Sequence, residues 1–318
     1  MLRSRIRQRS ARPSFARLAA VAVALCALAA VPLRAARAQD IDPDKVEIRT
    51  EKLADGVYLL RGAGGNIGLA TGADGTFLID DEYAPLTPKV VAAVRAIRDE
   101  PVKFVINTHW HNDHTGGNKD LGEAGALIVA HENVRKRMST DQFIAAFGKK
   151  VPAAPPKALP LITFTESVTF HLNGDDVDVV HVPPAHTDGD SIVLFRKANV
   201  VHAGDVFFNG LYPFIDVSSG GSVDGMVGAS DKLLALVDDH TKVIPGHGPL
   251  SDRAGLKAYR DMLATVRDRV KAMIADGKSL PDIQAARPSK EFDDTWGKGF
   301  LTPDQFVALV HSSLTAPR

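Results

Sequence analysis

Between Thr108 and Gly117 the chain reads THWHNDHTGG, so His109, His111, Asp113 and His114 crowd four metal-ligating side chains into six positions. The stretch just before it, VKFVIN, is a short apolar run with β-branched residues and reads as a buried strand. The ligands therefore leave a strand end together. His109 and His111 alternate just past that end and can face one metal, while Asp113 and His114 begin the next turn and can face a second. Neutral imidazoles and a carboxylate suit zinc, and a hydrolytic zinc keeps one position open for water. A solvated polar turn is the plain alternative, and so dense a ligand cluster argues against it.

Four positions cannot close such a site, and the partners lie downstream. His186 follows DVDVVHVPPA, Asp205 follows NVVHAG, and His247 follows KVIPG, each just past a strand-like run. Strand ends at one edge of a sheet are where α/β proteins place their sites. The only cysteine is Cys26, far upstream, so the site must be built from histidines and carboxylates.

The rest of the chain fits an α/β reading. VEIRTEKL, VYLLRG, NIGLAT and TFLID are short strands broken by Asp55-Gly56 and Asp74-Gly75 turns. A helix is expected over 88–97, from Val90, Val91, Val94 and Ile97 at spacings of three and four. ALIVA, SVTFHL, DVDVVHV, SIVLF and NVVHA are further strands, and helices are expected over 132–138 and 223–236. The proline-rich segment 151–160 reads as a loop or flap. Beyond Ser251, Leu256, Tyr259, Leu263, Val266, Val270 and Ile274 form the stripe of a long helix that Gly277 stops. Thr302-Pro303-Asp304-Gln305 is a capping box opening a last helix.

The first 38 residues differ in kind. They hold eight arginines and no acid, an apolar run LAAVAVALCALAAV, and then Ala36-Arg37-Ala38, the small-x-small pattern of a signal-peptidase site. Fourteen apolar residues are too few to span a bilayer comfortably, which disfavours a membrane anchor. No two of the arginines are adjacent, so a Sec-type rather than a twin-arginine signal is expected. The expected organisation is a signal peptide over 1–38, a catalytic domain over 39–250 and C-terminal helices over 251–318 packing on it. The product would be periplasmic or secreted, without stable membrane insertion after cleavage. Losing the leader leaves 30 basic against 38 acidic side chains, a net charge near −8. That balance disfavours a nucleic-acid partner and points to a small-molecule substrate. Nothing in the sequence reports the oligomeric state.

HxHxDH, HTxG, GD and PGHG, in this order and at these intervals, resemble the metallo-β-lactamase superfamily over roughly 46–249. The resemblance implies a four-layer αββα sandwich with a dinuclear site at one edge of its two sheets. It implies that His109, His111 and His186 hold one metal, that Asp113, His114 and His247 hold the other, and that Asp205 bridges them. It also implies two zinc ions per chain, with iron and manganese as open alternatives, and a bridging hydroxide as the attacking group. Asp113 would orient that nucleophile. Asp80, at the end of TFLID, would support the ligand loop from behind. His202, three residues before Asp205, is placed either there or in the core. Phe207, Phe208, Tyr212 and Phe214 are candidates for a substrate wall, although aromatics are as often plain core. Trp110 is expected in packing. His131, His171, His181, His240 and His311 read as structural or surface residues.

The family carries many chemistries. Zinc β-lactamases usually have Cys or Ser where this chain has Asp205, and DVFFNGLYPF offers no Lys or Arg for a substrate carboxylate, which leaves at most weak β-lactamase activity. The GD segment is similar to glyoxalase II, but the C-terminal part shows no basic glutathione-binding cluster. The long C-terminal helix and short tail resemble exported members associated with sulfur oxidation or quinoprotein systems. The leading expectation is an exported dinuclear zinc hydrolase of an ester, lactone, thioester or cyclic amide. A mononuclear iron oxygenase similar to persulfide dioxygenases, using His109, His186 and Asp205, is the alternative. A catalytically dead scaffold is disfavoured by the intact ligand set.

Overall fold

Period-two alternation along the strands sorts the apolar residues into separate layers. The structure is a computed structural model that describes residues 42–316. The expected leader and Cys26 lie outside the described residues. Chain order begins with a meander of β1 (Arg49–Ala54), β2 (Val57–Arg61), β3 (Ile67–Gly72) and β4 (Gly75–Ile79), followed by α1 (Thr87–Ile97) and β5 (Val102–Ile106). Two short helices, α2 (Asn112–Thr115) and α3 (Asn118–Glu123), lead to β6 (Leu127–His131) and α4 (Glu132–Met138). A small hairpin of β7 (Gln142–Ile144) and β8 (Lys149–Val151) precedes β9 (Ile162–Phe164). The second half contains β10 (Ser167–Leu172), β11 (Asp175–His181), β12 (Ser191–Phe195), β13 (Val200–His202), α5 (Val223–Leu236) and β14 (Lys242–Ile244). It closes with α6 (Arg253–Ala275), α7 (Leu280–Ala285), α8 (Asp293–Trp296) and α9 (Pro303–Thr315).

Two mixed sheets result. The first has the order β1-β2-β3-β4-β5-β6-β9, antiparallel up to β4 and parallel from β4 to β9. The second has the order β10-β11-β12-β13-β14, with only the last pair parallel. Phe77, Ile79, Ile106 and Val129 of the first sheet bury against Val179, Val193, Val200 and Ile244 of the second. Their neighbours point the other way. Leu78, Val105 and Ile128 pack with Val90 and Val94 of α1, while Ile192, Val201 and Val243 pack with Met226, Leu233, Tyr259 and Leu263 of α5 and α6. The fold is therefore the expected αββα sandwich, with α6, α7 and α9 extending the outer layer of the second sheet.

Local chemistry explains the boundaries. The β10–β11 turn is Asn173-Gly174, both at positive φ, as a two-residue hairpin requires. The long helix α6 ends where Gly277, at φ +74, donates to Ile274 O and Lys278 N–H donates to Met273 O. Thr302 and Gln305 cap α9 reciprocally.

The proline-rich segment is irregular chain after its first residue, as expected of a loop, with one 3-10 turn at Pro156–Ala158. Its first residue ends β8, and the remainder is a tied strap: Ala154 N–H donates to Met138 O, Asn118 Nδ2 to Ala158 O, and Leu161 N–H to Ile128 O. It then delivers β9 beside β6. Three-residue strands such as β7 and β9 carry too little alternation to be read from sequence, and their pairing partners decide them.

Leu263 is fully buried between α5 and α6. Replacing it by alanine is expected to cost about 2–5 kcal/mol from lost burial and the cavity left behind. Guanidinium denaturation would check this, and a loss below about 1 kcal/mol would contradict the packing described.

Candidate metal centre

Asp80 sets where the ligand loop begins. It terminates β4 in the left-handed region, at φ 62, and is fully buried. Its Oδ1 accepts from Thr108 N–H at 2.7 Å, and its Oδ2 accepts from Thr108 Oγ1 and faces His114 Nδ1, both at 2.7 Å. One carboxylate thus fixes the exit of β5 and the orientation of His114. The remaining ligands arrive from the C-terminal side of neighbouring strands: His186 beyond β11, Asp205 beyond β13 and His247 beyond β14.

The side chains form two adjoining groups. His109, His111, His186 and Asp205 place one ligand atom each within 4.8 Å of one another, and so do Asp113, His114 and His247. Asp205 touches both groups. Its Oδ2 lies 3.4 Å from His186 Nε2 and 3.8 Å from His109 Nε2, while its Oδ1 lies 3.1 Å from His114 Nε2 and 3.4 Å from His247 Nε2.

Hydrogen bonds on the outer nitrogens fix the tautomers. His186 Nδ1–H must donate to the carbonyl of Phe214 at 2.7 Å, and His111 Nε2–H to Asp216 Oδ2 at 3.0 Å. The inner nitrogens, His186 Nε2 and His111 Nδ1, then point lone pairs at each other across 2.8 Å. His109 Nδ1 is turned to Thr108 Oγ1, which leaves His109 Nε2 buried without a hydrogen-bond partner, as is Asp205 Oδ1. Converging lone pairs and orphaned buried acceptors are costly unless a cation lies among them. The donor set therefore fits divalent metals bound by imidazole and carboxylate.

The profile of the metallo-beta-lactamase superfamily matches residues 60–252, more than half of the chain. The chain belongs to the metallo-beta-lactamase superfamily. Among individual relatives, a hydroxyacylglutathione hydrolase of Erythrobacter litoralis is 29% identical over 108 residues, 34% of this chain and 35% of that enzyme's length. A lactamase-like protein aptB of Emericella nidulans is 24% identical over 268 residues, 81% of this chain and 74% of its own. Among solved structures, a metallo-beta-lactamase from Pontibacter korlensis superposes with a TM-score of 0.56 at 20% identity, covering 69% of this chain and 99% of that one. At that identity the likeness establishes the fold alone.

The chain is a metal-dependent hydrolase of that superfamily, with its histidine and aspartate groups intact. The glycines beside the ligands show how tightly they are enclosed. A Cβ on Gly65 would lie 2.2 Å from the His114 ring, and one on Gly246 would lie 2.0 Å from Asp205 Oδ1. His202 makes its hydrogen bonds to backbone. It donates from Nε2 to Asn66 O and accepts from Gly204 N–H, so it braces the turn carrying Asp205. Trp110 is buried in the second sheet's outer core, as expected.

The aromatic wall needs correction. Phe207 is wholly buried against Tyr259, and Tyr212 stacks on Phe306 and donates to Asp293, so both belong to the core under the C-terminal helices. The helical extension supplies the partners that claim them. Phe208 stacks on His247 with ring centroids 5.2 Å apart, and Phe214 sits 5.8 Å from His111 and 5.6 Å from His186. Sequence reasoning missed Asp216, which orients His111 while Ser218 Oγ and Ser219 N–H anchor its other oxygen. The Asp-x-Ser-Ser turn signature was the available signal. Asp81 and Glu82, also missed, tie down Gly117 N–H and Gly64 N–H.

Electrostatics separates the two groups. Burial holds the His109 imidazole well below its ordinary value and holds His186 at about 4, against the pull of Asp205. Burial opposes protonation of His247 too, but Asp205 and Asp113 raise it to about 9, and Asp205 and Asp80 raise His114. In turn His114 and His247 hold Asp113 below the carboxylate range despite its burial.

Burial thus keeps His109 and His186 neutral and open to a metal, whereas His114 and His247, raised by the carboxylates, must lose protons to bind one. The second metal equivalent is expected to release more protons than the first, with its apparent affinity rising as pH approaches 9. Calorimetric titration in buffers of differing ionisation enthalpy would check this; equal proton release for both would contradict it. Asp80→Asn should weaken metal binding by about 10–100-fold in chelator competition.

Proposed function

We propose that this chain is an exported dinuclear zinc hydrolase that opens a small carbonyl compound: an ester, lactone, thioester or cyclic amide. The observation that carries the reading is the division of Asp205, one oxygen toward each histidine group. Zinc ions bound there would bring the pKa of a shared water near neutrality and polarise a substrate carbonyl. His109, His111 and His186 would hold one ion, and His114, His247 and Asp113 the other, with Asp205 between them. Asp113 and His247 are the ligands most open to solvent, each at 19% side-chain exposure, so substrate would approach from their side. Asp113 meets both His114 and His247 through Oδ2. Asp113 would accept a hydrogen bond from the attacking water and so orient it.

The acylglutathione-hydrolysing relative supports acyl compounds as first candidates. The basic, then apolar, then small-residue leader supports Sec-type export to the periplasm or medium, in keeping with the sulfur-oxidation and quinoprotein-associated members. N-terminal sequencing of the exported protein should then begin near Gln39. A mononuclear iron oxygenase would need only His109, His186 and Asp205, and the complete second group favours two metals.

A panel of p-nitrophenyl acetate, an unsubstituted lactone, an acyl thioester and a chromogenic cephalosporin tests the reading. Turnover of at least one acyl compound is expected, with at most slow turnover of the cephalosporin. Asp113→Ala should lower kcat by about 10²–10⁴-fold and keep the first metal, while Asp205→Ala should lose both metals. No turnover by the fully zinc-loaded protein, with oxygen uptake on a persulfide by the iron-loaded one, would overturn it.

A further inference from the structure

The loop that carries His186 is closed on one side by its own residues. Asp190 accepts from His186 N–H at 2.6 Å and from Thr187 N–H at 2.9 Å, and Thr187 Oγ1 donates to its other oxygen. Asp188 turns the other way, and its polar groups are all engaged. Its carboxylate takes a fork from Arg137 of α4, Nε to Oδ1 at 2.6 Å and Nη2 to Oδ2 at 2.7 Å. Its carbonyl accepts from Asn133 Nδ2, also of α4, and its N–H donates to Ser219 O, both at 2.9 Å.

This clamp reaches two ligands of the first histidine group. His186 stands two residues before Asp188. Ser219, whose carbonyl Asp188 holds, donates its own N–H to Asp216, and Asp216 accepts from His111 Nε2. Asp216 N–H returns to the carbonyl of His186 at 3.0 Å, which joins the two branches. The packing is equally close. A Cβ on Gly189 would lie 3.0 Å from Val134 Cγ2 of α4, and one on Gly220 would lie 3.0 Å from Asp188 Cβ. α4 follows β6 of the first sheet, whereas the two loops follow β11 and β13 of the second, so the clamp spans the sandwich.

A bidentate guanidinium–carboxylate pair fixes direction as well as distance. Here the two side chains are only 18% and 26% exposed, so solvent screens them little. The metal sets the need for such a brace, because its ligand distances vary by only about 0.2 Å and a wandering loop loses affinity. We propose that Arg137 is a positioning residue for the first metal. Its fork on Asp188 sets where His186, and through Ser219 and Asp216 also His111, present their nitrogens. The inference stands on the metal centre and does not depend on which compound is hydrolysed.

The test uses the full chain, with zinc and then cobalt as the probe metals. In chelator competition Arg137→Gln should lose about tenfold or more in affinity for one zinc equivalent and less than about threefold for the other. In the cobalt-loaded protein the paramagnetically shifted N–H protons of the His186 and His111 rings should move, while that of His114, held by Asp80, stays in place. Arg137→Lys keeps the charge but not the fork. It should fall between wild type and Arg137→Gln, and it decides the matter if Arg137→Gln does not fold. Joining Asp188→Asn to Arg137→Gln should cost no more than the worse single change, because the two act as one unit. Unchanged affinity for both equivalents, equal losses at the two, or unmoved His186 and His111 signals would each overturn the proposal. A chain that binds one metal only would contradict the dinuclear reading and still decide this one, through that metal's affinity and the same two N–H signals.

Discussion

The carboxylate of Asp205 is the point on which the rest of the centre depends. It sits at the end of β13, buried, with one oxygen toward His109 and His186 and the other toward His114 and His247. Gly246 leaves room for it where any side chain would collide with Oδ1. Without a cation the first histidine group gathers inward-pointing lone pairs in a buried space, which is costly. The ligand loop, the Gly65 approach to His114 and the Asp80 and Asp216 anchors all serve to hold that arrangement.

The anchors divide the work between the two sheets. Asp80, from the first sheet, holds Thr108 and His114, while Asp216, from the loop after β13, holds His111. His202 and Asn66 tie the loop before β3 to the turns before Asp205 and around His247. The two halves of the sandwich are thus joined at the site edge by hydrogen bonds and between the sheets by apolar packing. Rigid supports of this kind keep ligand nitrogens in place before metal arrives, which lowers the reorganisation needed on binding.

Much of this was legible because the signals were local. Strand-end ligands with alternating spacing, the Asn173-Gly174 turn, the α6 stripe and the α9 capping box each express their physics within a few residues. Asp205 was legible by position, but the facing of its two oxygens needed coordinates. The aromatic segment after it was read less well: Phe207 and Tyr212 are claimed by Tyr259 and Phe306, which lie far along the chain. Asp216, Asp81 and Glu82 went unread for a related reason, since each acts on groups distant in sequence. The hairpin of β7 and β8 was hidden by its shortness, and the ties that pin the proline-rich loop by their separation along the chain.

Metal stoichiometry tests the account most directly. The protein, purified without added metal, would be subjected to elemental analysis and to native mass spectrometry. The account predicts about two zinc ions per chain, falling to less than one in Asp205→Ala. One iron per chain with little zinc, or full metal content in Asp205→Ala, would contradict the claim that this carboxylate joins two metal positions.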